Sequence, residues 1–208
     1  MTMIKISHYI ENTRVLGPFI RSALWVHGCN RSCKGCIAQK MNTQVPNKYA
    51  IEELAKVFLE IEYAEGITIS GGEPFLQAKE LYELIRLIRS QRDYGVIVYT
   101  GNTYEELLES NDSGVNKLLS QTDILIDGRY IEELDDGLPY RGSSNQRIIM
   151  ISDRYKDCYE DYYLKGTNRN IEIKVTEKNV YLTGVPSKNG LEVWQKFKKK
   201  AGGDNDTV

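Results

Sequence analysis

The chain has 208 residues, a length that suits one domain with a buried core, alone or with an extension. Its 27 basic and 29 acidic residues nearly balance, which argues against a general binder of nucleic acid or other polyanions. With only two histidines, His8 and His27, a histidine-rich metal site is excluded.

The first predicted strand is Ser22–Val26, a short apolar run that ends at a cysteine-rich loop. Ile37–Asn42, after that loop, is predicted to begin a helix. Apolar residues recur every three or four positions over Ile51–Ile61, which predicts an amphipathic helix. Gly66–Ser70 is predicted to be a strand, and Leu81–Ser90 a second helix of the same kind.

Val96–Thr100 and Asp123–Asp127 are two further apolar runs that predict buried strands. The helix predicted between them begins with Tyr104–Glu109, and Thr103 is its candidate N-cap. Strands that are apolar on both faces and alternate with amphipathic helices predict βαβ units and a parallel sheet, and so the α/β class.

Residues suited to chemistry follow each of these strands. Cys29 follows the first strand, Gly71 the second, Thr100-Gly101 the end of the third, and Asp127 the end of the fourth. Ligands of parallel sheets bind beyond the carboxyl ends of the strands, so we expect these residues to share one rim.

The pattern changes near residue 150, which divides the chain into a core, 1–150, and a small α+β extension, 151–208. The extension begins with the polar, tyrosine-rich run Asp153–Tyr163. A hairpin is then predicted from Ile171–Val175 and Val180–Leu182. It is followed by a short amphipathic helix, Leu191–Lys199, and a frayed tail, Gly202–Val208.

Three cysteines lie in the run from Gly28 to Cys36 with the spacing C-x3-C-x2-C: Cys29, Cys33 and Cys36. A structural zinc site or an ordinary electron-transfer cluster takes four protein ligands. Three thiolates hold three corners of a cubane iron–sulfur cluster and leave one iron open to a small molecule. The spacing therefore indicates a reactive centre.

The alternative is a zinc knuckle completed by Cys158 or His27. Zinc sites bring their ligands in spaced pairs, and Cys158 lies in a different kind of segment. We favour the open cluster and assign no role to Cys158.

The second motif is Ser70-Gly71-Gly72-Glu73-Pro74 at a strand end, where a plain turn is the simpler interpretation. Glycine lets the backbone approach a ligand closely and leaves its N–H and C=O groups free to bind it. Such a strand end can hold the amino group of a ligand, with Glu73 supporting the loop or meeting the same amine.

Together the two motifs resemble the radical S-adenosylmethionine (SAM) superfamily. The resemblance implies a partial (β/α) barrel and a 4Fe-4S cluster on Cys29, Cys33 and Cys36, with SAM on the open iron. It places Gly71, Gly72 and Glu73 near the methionine amine. One electron then cleaves the sulfonium and gives a 5′-deoxyadenosyl radical.

Further segments are similar to the activating proteins of anaerobic ribonucleoside-triphosphate reductase. Gly17-Pro18-Phe19-Ile20-Arg21 resembles the Gly-Pro-Gly-x-Arg approach segment of glycyl-radical activases, with Phe19 in place of the second glycine. Tyr99-Thr100-Gly101 matches their Thr-Gly strand end. These activating proteins also have a signature late in their sequence. It is matched here by Asp127-Gly128-Arg129-Tyr130 and by Arg141-Gly142-Ser143-Ser144-Asn145-Gln146.

This resemblance implies hydrogen abstraction from a glycine of a large partner, such as anaerobic ribonucleotide reductase. It adds Thr100, Gly101 and Asp127 to the cofactor-binding residues, and a flavodoxin-type or other reductant as electron donor. It implies neither a membrane nor a nucleic-acid partner.

Two other functions stay open. The extension motivates a radical SAM enzyme that modifies a peptide or small metabolite. A non-enzymatic zinc or iron–sulfur module explains the cysteines but leaves Gly71–Pro74 and Thr100-Gly101 without a role.

The predicted compartment follows from what the sequence lacks. The N-terminal residues contain no long apolar stretch of the kind found in signal peptides, and no apolar run of about 18 residues is present. We therefore expect a cytoplasmic protein without a membrane span. In the reducing cytosol, cysteines serve as metal ligands rather than as disulfides.

Overall fold

The computed structural model describes residues 2–39, 43–166, 168–175 and 180–200. Its strands are β1 Met3–Thr13, β2 Arg21–Val26, β3 Asn47–Ala50, β4 Gly66–Gly71, β5 Gly95–Tyr99, β6 Ile124–Asp127, β7 Arg147–Met150, β8 Ile171–Val175 and β9 Val180–Gly184. Its α-helices are α1 Ile51–Glu60, α2 Ala78–Arg89, α3 Tyr104–Leu108, α4 Ser113–Ser120 and α5 Lys188–Lys200. Short 3-10 helices cover Pro74–Gln77, Glu132–Leu134 and Asp153–Cys158, and a π-helical turn covers Glu160–Leu164.

Strands β1 to β7 form one mixed sheet in the order β3-β1-β2-β4-β5-β6-β7. Neighbours among β2, β4, β5 and β6 run parallel. Antiparallel strands flank them, β1 and β3 on one side and β7 on the other. The predicted α/β class and the parallel pairing of the four predicted strands are confirmed.

Helices α1, α2 and α4 pack against one face of this sheet. Leu54 of α1, Leu84 of α2 and Leu118 of α4 are fully buried there, together with Val96 and Val98 of β5. Because side chains alternate along a strand, the residue between them, Ile97, lies on the opposite face.

The tyrosine-rich start of the extension covers that opposite face. Tyr155 and Tyr163 form a buried cluster with Ile97, Ile124 and Ile126. The central strands are therefore buried on both faces, which explains why their sequences are continuous apolar runs.

Arg21, at the start of β2, ties the extension to the core. Its side chain is fully buried, and Nη1 donates to the Tyr155 hydroxyl at 2.6 Å and to Glu65 Oε2 at 2.8 Å. The Tyr155 hydroxyl in turn donates to Glu65 Oε2 at 2.6 Å. A buried guanidinium is stable only when its charge and donors are matched, as they are here.

Phe19 adopts a backbone conformation that favours glycine, with φ of 61°. Its ring lies 5.9 Å from that of Tyr162, and its N–H donates to the Tyr162 hydroxyl at 3.3 Å. The residue that replaces glycine in the approach segment thus contacts the extension.

Several elements differ from the prediction. Strands β1, β3 and β7 and helix α4 were not predicted, and α2 begins at Ala78, before the predicted Leu81. The predicted helix Ile37–Asn42 is wrong for its described part, since Ile37–Gln39 forms only a turn; residues 40–42 lie outside the described residues.

The hairpin of the extension is confirmed as β8 paired with β9, and the helix as α5, which begins earlier, at Lys188. The predicted tail, Gly202–Val208, lies outside the described residues. No helix in the described part of the chain has the length and apolar character needed to cross a membrane.

Candidate active site

The carboxyl ends of the parallel strands border a cavity with a volume of 340 Å³. Its lining contains all of the predicted site residues except Asp127: Cys29, Cys33, Cys36, Gly71, Gly72, Glu73, Thr100 and Gly101. Residues more than 60 positions apart in the chain therefore meet at one rim, as the strand order requires.

The three cysteines lie on the loop that follows β2. All are free thiols; Cys29 is exposed, whereas Cys33 and Cys36 are half-buried. The loop turns through a hydrogen bond from the Cys36 N–H to the Cys33 carbonyl at 3.3 Å. The backbone N–H of Arg31 lies 3.4 Å from the Cys29 sulfur, as a donor to it.

Burial raises the pKa of the Cys29 thiol, and the Arg31 N–H opposes that rise. Burial likewise raises the pKa of Cys36, against which the backbone N–H groups of Ala38 and Gln39 act. Without a metal, the protein environment favours the neutral thiols. Bound iron would reverse this preference because it stabilises the thiolate directly.

The Glu73 carboxylate joins three segments of the rim. It is 2 % exposed, and Oε1 accepts hydrogen bonds from the Thr100 hydroxyl at 2.8 Å and the Phe75 N–H at 3.1 Å. Oε2 accepts from the Gly101 N–H at 2.9 Å and lies 3.7 Å from Arg31 Nε. Of the two roles considered for Glu73, the structure shows support of the loop.

Gly71 must be glycine because β4 approaches β2 closely at this point. Its φ is +105°, and a Cβ atom would lie 2.5 Å from the Val26 carbonyl oxygen. The next N–H, of Gly72, donates to that same oxygen at 2.9 Å, and the Glu73 N–H donates to the Gly28 carbonyl at 2.8 Å. These bonds attach the glycine-rich strand end to the start of the cysteine loop.

Gly101 leaves room for an arginine side chain. A Cβ atom there would lie 2.7 Å from Arg31 Cδ and 3.4 Å from Glu73 Oε2. The Arg31 guanidinium also bonds the side-chain oxygen of Asn102. The Arg31 side chain of the cysteine loop thus packs against the strand end Thr100-Gly101.

Asp127 lies at the end of β6 but is not among the residues that line the cavity. Its carboxylate is buried and accepts hydrogen bonds from the Tyr104 N–H at 2.8 Å and Arg147 Nε at 3.1 Å. It therefore holds the start of α3 and the start of β7 in place.

Arg31 and Tyr99 are among the residues of the cavity wall that sequence reasoning missed. Among the described residues, neither Arg31 Nε nor the Tyr99 hydroxyl, both buried, has a hydrogen-bond partner. Burial raises the pKa of Tyr99 well above its usual range, so its hydroxyl stays protonated and able to donate. The position of Arg31 within the cysteine motif could have identified it as a site residue. Tyr99 was noted in the sequence only as the residue before Thr100.

His27 and Cys158 do not line the cavity. His27 Nδ1 lies 3.4 Å from the Ser7 hydroxyl, a local contact. The Cys158 thiol lies 3.4 Å from the Tyr155 carbonyl, within the tyrosine-rich segment. Neither residue is placed to complete a zinc site with the three clustered cysteines.

The donor set of the cavity fits an iron–sulfur cluster better than a single ion. Among the described residues, no three His, Cys, Asp or Glu side chains are arranged to hold one metal ion. A cubane spaces its thiolates more widely, because each binds a different iron. The three free thiols line one cavity with Arg31 and Tyr99, whose Nε and hydroxyl make no hydrogen bond among the described residues. This set suits a large group with polar substituents.

The chain is similar to known proteins of one family. Residues 15–149 match the family model described as a 4Fe-4S single cluster domain. Similar proteins include three that are each named anaerobic ribonucleoside-triphosphate reductase-activating protein. The protein of Vibrio cholerae is 33% identical over 143 residues, which cover 64% of this chain and 90% of that protein.

The protein of Haemophilus influenzae is 31% identical over 152 residues, covering 67% of this chain and 94% of its own length. That of Enterobacteria phage T4 is 29% identical over 146 residues, covering 67% and 89%. The matches confirm the resemblance inferred from the motifs. The chain belongs to the 4Fe-4S single cluster domain family and, within it, to the anaerobic ribonucleoside-triphosphate reductase-activating proteins.

Proposed function

We propose that this protein is a radical SAM enzyme that activates a glycyl-radical enzyme, with anaerobic ribonucleotide reductase as its partner. One observation carries the proposal: in a chain of this family, three free cysteines and the Gly71–Glu73 strand end line the same cavity. The partner is the one for which the similar proteins are named.

In this proposal Cys29, Cys33 and Cys36 hold a 4Fe-4S cluster by three of its irons. When bound, the cluster and SAM together supply one-electron cleavage of the sulfonium, and with it a carbon radical able to abstract hydrogen. The Arg31 side chain, 11 % exposed, places a cation beside the thiolates and offsets part of the negative charge of the cluster.

The glycine-rich strand end binds the amino acid part of SAM. Gly71 and Gly72 present backbone close to the ligand, while Glu73 holds Thr100 and Gly101 in position. Tyr99 lines the cavity, and its buried hydroxyl stays protonated. The walls of the cavity exclude water, which keeps the reactive species from side reactions.

The proposal extends to the fold and the remaining partners. The parallel strands β2, β4, β5 and β6, with helices on one face, correspond to the partial (β/α) barrel of radical SAM enzymes. Residues 1–150 form the catalytic core. A flavodoxin-type or other reductant delivers the electron in the cytoplasm, and neither a membrane nor nucleic acid takes part.

An anaerobic reconstitution tests the choice of partner. Purified cluster-loaded protein, SAM and a reductant are incubated with the anaerobic reductase of the same organism. We expect a glycyl electron-spin signal on the reductase that requires all three components. If 5′-deoxyadenosine accumulates but the reductase shows no glycyl electron-spin signal, this partner is rejected and the radical chemistry is not.

The alternative target is a peptide or a small metabolite. The extension favours it, since the match to the 4Fe-4S family model ends at residue 149 and the extension contributes to the cavity. Mass spectrometry of candidate peptides after incubation with enzyme and SAM separates the two targets. A modified peptide together with a silent reductase would favour the alternative.

A zinc-binding module without enzymatic activity makes a different prediction. Anaerobic metal analysis of our proposed enzyme gives about four irons and about four sulfides per chain. The zinc module gives one zinc per chain and no sulfide, and that result would reject the proposed chemistry.

A further inference from the structure

The C-terminal extension forms part of the cavity wall. Leu182 of β9, the turn Gly184–Pro186 and two residues of α5, Lys188 and Leu191, all line the cavity that contains the cysteines. The match to the 4Fe-4S family model ends before this segment, at residue 149. The segment therefore adds to the site something that the family match does not describe.

Arg169 holds this part of the wall against the core. Its side chain is 3 % exposed, and Nη1 donates to the Pro186 carbonyl at 3.2 Å. Nε donates to the Leu138 carbonyl at 2.9 Å, and Nη2 donates to the Arg141 carbonyl at 2.8 Å.

Nη2 of Arg169 also pairs with Asp135 Oδ1 at 2.9 Å. One buried guanidinium thus joins the loop after β6 to the turn between β9 and α5. Arg169, Asp135 and Pro186 themselves line the cavity. Because the donors of Arg169 are matched by these acceptors, removing the side chain leaves carbonyls and a carboxylate without this partner.

A second contact fixes the hairpin on the other side. The ring of Tyr181 stacks on His8 of β1, with ring centroids 4.6 Å apart and planes 3° apart. His8 in turn stacks on Trp25, which lines the cavity. The hairpin is therefore held at two places that border the site.

We propose that residues 182–191, fixed by Arg169, are a specificity-determining wall that packs against bound SAM. This inference rests on the proposed function. Leu182, Val185, Pro186 and Leu191 supply apolar surface, whereas the core supplies thiols, glycine backbone and the polar groups of Glu73 and Thr100. A cavity for a small molecule needs both, an apolar surface for burial and a few polar groups for orientation.

Arg169 is a positioning residue in this scheme, since it acts through the wall. Its matched control is Arg154, which also joins the extension to the core through Glu65, Asp93 and Asp123. These partners lie at the amino ends of the parallel strands, away from the cavity. Arg154→Ala should lower stability without changing SAM binding.

Leu191 offers a milder variant with its own control. Leu191 lines the cavity, whereas Val193, two positions along α5, is 66 % exposed and does not. Leu191→Ala removes apolar contact from the wall, and Val193→Ala removes a side chain that faces solvent. Neither change inserts a polar group or a helix breaker.

The experiment measures the dissociation constant of SAM on the cluster-loaded full chain by anaerobic calorimetry, together with the melting temperature. We expect the constant to rise about tenfold in Arg169→Ala and about threefold in Leu191→Ala. It should stay within about twofold of the parent value in Arg154→Ala and Val193→Ala, even where Arg154→Ala lowers the melting temperature. Unchanged SAM affinity in both Arg169→Ala and Leu191→Ala would show that residues 182–191 do not contact bound SAM.

Hydrogen exchange separates this inference from the proposed function. If the parent protein binds no SAM, the proposed function fails, and exchange without ligand still tests the wall. Arg169→Ala should then speed amide exchange in residues 180–191 and in 135–142, whereas Arg154→Ala should not. Equal amide exchange in the parent protein and in Arg169→Ala would show that Arg169 does not hold residues 182–191 in place.

Discussion

Glu73 uses both carboxylate oxygens to connect the ends of two neighbouring strands. Its partners are the Thr100 hydroxyl, the Gly101 and Phe75 N–H groups, and the Arg31 guanidinium. A buried carboxylate is costly unless such donors surround it. The same four interactions fix the relative positions of the cysteine loop and the two strand ends, so one residue sets much of the site geometry.

Glu73→Ala should therefore destabilise the protein even without cofactors. Removal of the carboxylate takes the acceptor away from the Phe75 and Gly101 N–H groups and from the Thr100 hydroxyl, and we expect a loss of about 2–4 kcal/mol. Urea unfolding of the cluster-free protein measures this free energy.

The control for this prediction is Glu83→Ala. Glu83 pairs with Arg86 on the exposed surface of α2 at 2.9 Å, a contact worth about 0–1 kcal/mol. Equal losses in the two variants would show that the Glu73 network contributes no more than a surface ion pair.

At the scale of elements, the approach segment before β2 is adapted to the extension. Phe19 takes up a backbone conformation that costs a non-glycine residue about 1–2 kcal/mol, yet its ring packs on Tyr162. The strained backbone of Phe19 is thus accompanied by a contact with Tyr162 of the extension.

A double-mutant cycle of Phe19→Gly and Tyr162→Ala tests this link. Phe19→Gly alone should change stability little, because relief of strain offsets the lost contact. The coupling energy should be about 0.5–1.5 kcal/mol, as expected for residues in contact. Additive effects within about 0.3 kcal/mol would show that the two residues are independent.

The elements that the sequence predicted correctly share one property. Strands β2, β4, β5 and β6 are buried on both faces, so each is a short apolar run between glycines or polar residues. The flanking strands β1, β3 and β7 have mixed burial. Their identity as strands comes from pairing with the sheet rather than from a strong local pattern.

The site divides in the same way. The cysteines, Gly71–Glu73 and Thr100-Gly101 were predicted because their motifs are local in sequence. Arg169 was not, because its partners lie 17 to 34 positions away in irregular segments. Asp127 was found by its place at a strand end, although its carboxylate bonds α3 and β7 rather than lining the cavity.

At the scale of the whole molecule, the extension closes the second face of the sheet. It is anchored at the amino ends of the parallel strands by Tyr155 and at the carboxyl ends by Arg169. The active-site rim therefore depends on the extension at one end, and the stability of the sheet depends on it at the other.

Tyr155→Phe tests the anchor at the amino ends. The change removes a hydroxyl that joins Arg21 and Glu65 at 2.6 Å each, and we expect a loss of about 1–3 kcal/mol in thermal or urea unfolding. Tyr63→Phe, at an exposed tyrosine, is the control and should change stability by no more than about 0.5 kcal/mol. If the two variants were equally stable, the buried hydroxyl would have no role in holding the extension.

The most direct test of the proposed chemistry is 5′-deoxyadenosine formation by the reconstituted protein and its four cysteine variants. The parent and Cys158→Ala should cleave SAM equally, since Cys158 lies outside the cavity. Cys29→Ala, Cys33→Ala and Cys36→Ala should each form no product. Full activity in any of these three, or loss of iron in Cys158→Ala, would contradict a cluster held by three cysteines.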